Sequence, residues 1–255
     1  MANSLPALVE RGLSTALVQA RTFPLVPALA PLFPGGALRQ GSTVSIGPGV
    51  APGVTTLALS LLSGPCARGS WCAAVGFPDL GLAAAAQMGV DLERLVVVPS
   101  PGPKWAVVTA ALLEGLDVVV LGPSSGARQA SASHPGESGR PAGAHPGESA
   151  HPSDARRLEA RARERGAVLV VVGRGWPGAD VRLAVLAARW RGLQDGHGYL
   201  WGREVDVMVG GRGAASGERR ATLWLSAEGS SAQVQLAVTS RGRPLEVGSA
   251  AGAVG

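Results

Sequence analysis

Short runs of β-branched and aliphatic residues alternate with segments of helical periodicity over most of this chain, and few architectures accept that pattern. The strand candidates are Thr43–Gly47, Trp71–Gly76, Leu95–Val98, Asp117–Leu121 and Val168–Val172. Between and after them the spacing predicts helices over Val54–Ser63, Asp79–Met88, Lys104–Glu114, Asp154–Arg165 and Ala179–Ala188. Strands that are apolar at nearly every position must be buried on both faces, so helices have to cover both sides of a mainly parallel sheet. After residue 200 the pattern becomes a strict alternation, in "REVDVMVGG", "ATLWLSA" and "AQVQLAV", joined by glycine-rich turns. These read as antiparallel strands that extend the sheet. The expected fold class is α/β.

Residues 4–20, "SLPALVERGLSTALVQA", place Leu8, Leu13, Leu17 and Val18 near one helical face, so an N-terminal helix is expected within residues 1–24. The core then runs over residues 25–240, with an insertion at about 124–152 and a mobile tail over 241–255. The insertion carries a near-repeat, His134 to Ser138 and His145 to Ser149, in a Ser/Gly/Pro/His background. Such a composition buries too little apolar area to offset its ordering entropy, and disorder is expected. Its histidines (His134, His145, His151) are each followed by proline and lack a supporting cysteine or carboxylate cluster, so no metal site is expected.

The net charge of +5 and pI near 10.4 rest on arginine, because Lys104 is the only lysine. That balance suits nucleic acid or an acidic partner without selecting between them. The spacing of Cys66 and Cys72 fits no common zinc or thioredoxin-like motif, and both read as buried, reduced thiols. No secretory leader or membrane-length apolar run is visible, which implies a cytoplasmic protein without membrane contact.

The stretch "GPGVAPGVTT", between a strand and a helix, stands where a phosphate-binding loop belongs. Gly47, Gly49 and Gly53 can wrap backbone N–H groups around phosphates, and Thr55 or Thr56 can offer the magnesium-binding hydroxyl. Val54, however, occupies the position of the charge-neutralising lysine. Five residues separate Gly47 from Gly53 where the motif has four, and Pro52 removes an N–H. The strand "LDVVVL" ends at Gly122, where an aspartate would orient magnesium. The expectation is a remnant loop, no ATP cofactor and no enzyme.

Taken together, "FPGGALRQGSTVSIGPGVAPGVTTLALSLL", "AAAAQMGVDLERLVVV" and "ALLEGLDVVVLGPSS" resemble the RecA core in order and separation, over about residues 33–125. The segment "RRLEARARERGAVLVVVGRG" resembles the helix and strand after RecA's first DNA-binding loop. Where RecA has its catalytic glutamate this chain reads "VGFPDL", leaving Asp79 as the nearest acid, and RecA's ATP-sensing glutamine would fall near Gly173 or Arg174. The stretch from "WPGADVRLAVLAARWRGL" through "RRATLWL" is not RecA's and is similar to the RecA-related ImuA family. That resemblance implies an accessory protein of DNA-damage-induced translesion mutagenesis. The implied partners are an ImuB-like inactive Y-family polymerase, RecA, an error-prone replicative polymerase and DNA itself, which would place the protein at the nucleoid during repair. Two alternatives are an atypical ATP-binding, recombinase-like DNA-binding protein and a SulA-like cell-division inhibitor.

Without a catalytic site, function falls to surfaces. Trp176, Trp190 and Trp201, with Arg174, Arg191 and Arg203, are candidates for a partner face, because Trp and Arg dominate interface hot spots. Trp176, between glycine and proline, is expected to be the most exposed. The plainer reading is that these tryptophans pack helix on sheet. Arg156, Arg157, Arg161, Arg212, Arg219 and Arg220 are candidates for DNA backbone contacts, against the plainer reading of solvated surface charge. For the insertion, deletion of residues 126–150 is expected to lower the melting temperature by less than about 5 °C, measured by calorimetry on the full and deleted chains.

Overall fold

The computed structural model describes residues 21–47, 53–122, 151–173, 176–191, 202–226 and 234–237. The expected N-terminal helix, most of the insertion and the tail lie outside the described residues. Within them, strand β1 (Thr22–Pro24) pairs antiparallel with β2 (Ala37–Arg39) as a small ribbon. Thr22–Pro24 is therefore strand, not the end of a helix reaching residue 24.

The main sheet has nine strands. Its parallel part comprises β3 (Thr43–Gly47), β4 (Cys72–Val75), β5 (Leu95–Val98), β6 (Val118–Leu121), β7 (Val168–Val172) and β8 (Val181–Arg191). Strands β9 (Gly202–Gly211), β10 (Arg219–Ser226) and β11 (Val234–Ala237) add to β8 antiparallel, giving the order β11-β10-β9-β8-β3-β7-β6-β4-β5. Among the described residues four α-helices accompany it: α1 (Val54–Ala67), α2 (Leu82–Gln87), α3 (Trp105–Gly115) and α4 (Pro152–Arg165).

Side-chain alternation divides the central strands between two cores. Val118, Val120, Val168, Val170 and Val172 enter the core under α1, whereas Val119, Leu121, Leu169 and Val171 enter the core under α3 and α4. The helices differ accordingly. Residues Leu57 to Cys66 of α1 are all buried, because the helix lies between the sheet and the apolar segment holding Phe23, Leu25 and Leu29. In contrast, α4 buries only Ala155, Leu158 and Ala162 and turns its arginines outward. Pro152 opens α4 and Gly166, at φ 70°, closes it, so the helix begins inside the span expected for the insertion.

One element differs in kind. The predicted helix Ala179–Ala188 is the long strand β8. Val181, Leu183 and Val185 alternate into the core, pairing parallel to β3 and antiparallel to β9. A β-bulge between Val185 and Ala187 breaks the alternation. The run Leu186, Ala187, Ala188 then gives the sequence its helical look, and pairing on both sides overrides alanine's helix propensity.

Close packing of α1 on the ribbon generates a prediction. A Cβ on Gly64 would collide with the Pro24 carbonyl. Alanine gains about 1 kcal/mol in helix propensity, but backbone overpacking costs about 1–3 kcal/mol. Gly64→Ala is expected to lower the melting temperature by several degrees, at roughly 2–4 °C per kcal/mol for a chain of this size. Gly115→Ala, at the end of α3 with open space around it, serves as the control and is expected to hold or raise the temperature.

Candidate functional site

Strand β3 ends at Gly47, and the chain re-enters the described residues at Gly53, whose φ of 135° caps α1. Gly49 and the rest of 48–52 lie outside the described residues. Val54, the first residue of α1, is half-buried and packs against the core. Thr55 is exposed. Thr56 accepts a hydrogen bond at Oγ1 from Arg203 Nη2 at 2.5 Å.

Arg203 reaches this point from β9. A Cβ on Gly53 would lie 3.6 Å from its Nη2, so the guanidinium covers the first turn of α1. Its other neighbour is the Trp190 ring, 5.0 Å from the guanidinium carbon. Burial of this cation lowers its pKa from the ordinary arginine value. The positive end of the helix dipole also opposes a cation here, so the Thr56 bond and the Trp190 face are what hold it. This junction spans 147 residues of sequence and leaves no local signal in either segment.

The magnesium-orienting position is closed by backbone. Gly122 N donates to Val75 O at 2.6 Å. A Cβ on Gly122 would lie 2.5 Å from Gly76 O and 2.8 Å from Phe77 Cε2. Any side chain there, a carboxylate included, displaces the end of β4. Asp79 lies exposed beyond Phe77. Gly173 donates from its backbone N to Ile46 O at 3.0 Å, and Arg174 lies outside the described residues.

The tryptophan face is only partly as expected. Trp176 is 6% exposed and belongs to the core under α4, with Leu158, Ala162 and Ala179. The expectation that it is the most exposed tryptophan is overturned, because Trp176 packs against the buried face of α4. Trp190 is 53% exposed. Directly across from it on β9 stands Arg203, and next to that pair Arg189 bridges Glu204 at 3.7 Å and Asp206 at 2.9 Å. Trp201 lies outside the described residues, and Arg191 is known only as the last residue of β8.

The arginine candidates are dispersed over different elements. Arg156 and Arg157 are exposed on α4. Arg161 bridges Glu114 and Glu164, Arg220 bridges Glu218, Arg219 donates to Leu32 O, and Arg212 donates to Gly178 O. A different basic cluster forms at the N-terminal ends of β3 and β7. There a groove of about 750 Å³ is lined by Arg21, Arg39 and Arg163, with Gly41 and Gly166. Gly41 lets the backbones meet, since its Cβ would lie 3.1 Å from Arg163 Cα. Among the described residues no helix is long and apolar enough to cross a membrane, and no group of three potential metal ligands occurs.

A parallel sheet flanked by helices, with a loop at the end of β3 leading into α1 and antiparallel strands beyond β8, defines a RecA-like fold. The crystal structure of the flagellar accessory protein FlaH from Methanocaldococcus jannaschii is similar, with a TM-score of 0.56 and 10% sequence identity, covering 86% of this chain and 99% of that one. In sequence, a family model described as the MT3502 N-terminal domain matches residues 31–134 and 143–178, more than half of the chain. The uncharacterized protein Rv3395c of Mycobacterium tuberculosis is 35% identical over 194 residues, which is 70% of this chain and 83% of that protein. The chain belongs to the MT3502 N-terminal domain family. The matched region stops just before β8, although β8 continues the same sheet through its pairing with β3.

The burial of Trp176 sets an expected outcome. Trp176→Ala is expected to cost about 3–5 kcal/mol of folding stability, read from chemical denaturation, as for truncation of a core aromatic. A loss below about 1 kcal/mol would return this residue to the surface.

Proposed function

We propose that the protein is a non-enzymatic, RecA-like accessory factor in DNA-damage-induced translesion mutagenesis. In this reading it is an adaptor for an ImuB-like inactive Y-family polymerase, with RecA and an error-prone replicative polymerase in the same assembly. The observation that carries the non-enzymatic reading is the packing of Gly122, which leaves no room for a magnesium-orienting carboxylate. Val54 turned toward the core and Arg203 over the first turn of α1 support it. The adaptor surface is the paired end of β8 and β9 around Trp190, which is exposed, aromatic and bordered by Arg189 and Arg203. That composition is typical of interface anchors.

A second reading, a DNA-backbone contact, draws on the groove lined by Arg21, Arg39 and Arg163. Arginine forks engage phosphates without reading sequence. Binding of single-stranded DNA whose salt dependence weakens when these arginines are replaced would favour it.

The test uses purified full-length protein. No ATP turnover above background is expected, with or without single-stranded DNA. Trp190→Ala is expected to weaken binding to an ImuB-like polymerase by about 2 kcal/mol, roughly thirtyfold, in a titration of the two proteins. Turnover abolished by replacing Thr55 and Thr56 with alanine would overturn the non-enzymatic reading. Absence of polymerase binding by the unaltered chain would overturn the adaptor reading.

A further inference from the structure

The last turn of α1 and the first residue of β4 bring two thiols together. Cys66 Sγ and Cys72 Sγ are 3.2 Å apart, and both residues are buried, at 2% and 0% exposure. Cys72 follows Cys66 by six positions, and the exposed residues Ala67, Arg68 and Gly69 lie between them in the chain. That segment is clasped from outside. Arg94 Nη1 donates to Gly69 O at 2.8 Å and its guanidinium lies over the Trp71 ring at 5.8 Å, while Trp71 N donates to Asp117 Oδ2 at 2.9 Å.

The two sulfurs are not equivalent. The hydrogen bond with Cys72 holds the Cys66 thiol below its ordinary pKa, helped by the backbone N–H of Asp91 and the Arg94 charge, against burial and the Asp91 carboxylate. The same hydrogen bond, with burial and the nearby Cys66 and Asp117 charges, pushes Cys72 up. One sulfur is thus prepared as the nucleophile and its neighbour holds the proton. A bonded pair needs about 2.05 Å, so closing the gap asks for roughly an ångström of movement at the end of α1.

We propose that Cys66 and Cys72 are an oxidisable dithiol, a modification site at which a hydroperoxide produces a disulfide tying α1 to β4. The Cys66 thiolate attacks the peroxide oxygen, so that an S–O bond forms, the O–O bond breaks, and the released alkoxide or hydroxide takes up a proton. Cys72, giving up its proton, then attacks the Cys66 sulfur. The S–S bond forms, the S–O bond breaks, and hydroxide leaves as water with that proton. Two thiols lose two electrons in total, and the hydroperoxide accepts them. This inference is independent of the adaptor reading, since it uses no residue of the segment 47–56 or of the paired end of β8 and β9. In a reducing compartment such a pair would be transient, which is the usual behaviour of intracellular disulfides.

The experiment exposes folded full-length protein to a small excess of hydrogen peroxide, alkylates it after denaturation and reads intact and tryptic masses. Arg68 lies between the two cysteines, so trypsin separates them into peptides 40–68 and 69–94. The expected result is a loss of two hydrogens, no alkylation, and these two peptides joined until reduced. Cys72→Ser is expected to leave Cys66 as a sulfenic acid that a 1,3-dione captures. Cys66→Ser is expected to slow peroxide consumption at least ~tenfold. Melting curves of both variants establish that each is folded. Inert thiols in the folded protein, oxidation to sulfinic acid in place of the disulfide, or disulfides only between chains would each overturn the proposal.

Discussion

The parallel strands cannot stand with either face in water, and the rest of the molecule follows from that. Cys72 and Ala74 point into one core and Ala73 and Val75 into the other, and β6 and β7 repeat the division with branched residues. Each face therefore demands its own helical cover. The face under α1 is deeper, because that helix is itself covered by the segment from Phe23 to Phe33. A helix apolar all round is tolerated only between two such layers. The other face needs only amphipathic α4 and the more apolar α3, and so presents the arginine-bearing surface of α4.

The same close packing extends to the ends of β4 and β6 and to the first turn of α1. In an active phosphate site the ends of the parallel strands leave room for a carboxylate and a metal. Here the end of β6 is drawn against the end of β4 at Gly122, and Val54 adds to the core instead of projecting a charge. Arg203, a cation beside α1's first turn, comes from the antiparallel extension. The architecture is that of the RecA-like class, and Gly122 and Val54 make packing contacts within it.

Much of this was legible in the residues. The strands Thr43–Gly47, Leu95–Val98 and Val168–Val172 fall where their apolar runs place them, because a continuous β-branched run bounded by glycine or polar residues has few other uses. The antiparallel extension was also legible, since its alternation is strict. Two readings failed for one reason. Ala179–Ala188 looked helical and Trp176 looked exposed, and in both cases a distant element decided: β3 with β9 for the first, α4 for the second. The Arg203–Thr56 contact, the Cys66–Cys72 contact and the Arg21–Arg39–Arg163 groove have the same character. Each is made by tertiary placement, and composition or spacing cannot express it.

The bulge in β8 carries a consequence for charge pairing. With the extra residue in place, Arg189 stands opposite Glu204 and Trp190 opposite Arg203. If the ladder instead ran regularly through Leu186, every residue beyond Val185 would pair one step further along β9, so that Arg189 faced Arg203 and Trp190 faced Gly202. Two attractive cross-strand pairs would be exchanged for a repulsive one and a tryptophan without a partner side chain. Leu186, partly exposed and unpaired in the ladder, is the residue that the ladder skips. The pairing beyond Val185 depends on the ladder leaving out one residue here, whichever side chain that residue carries.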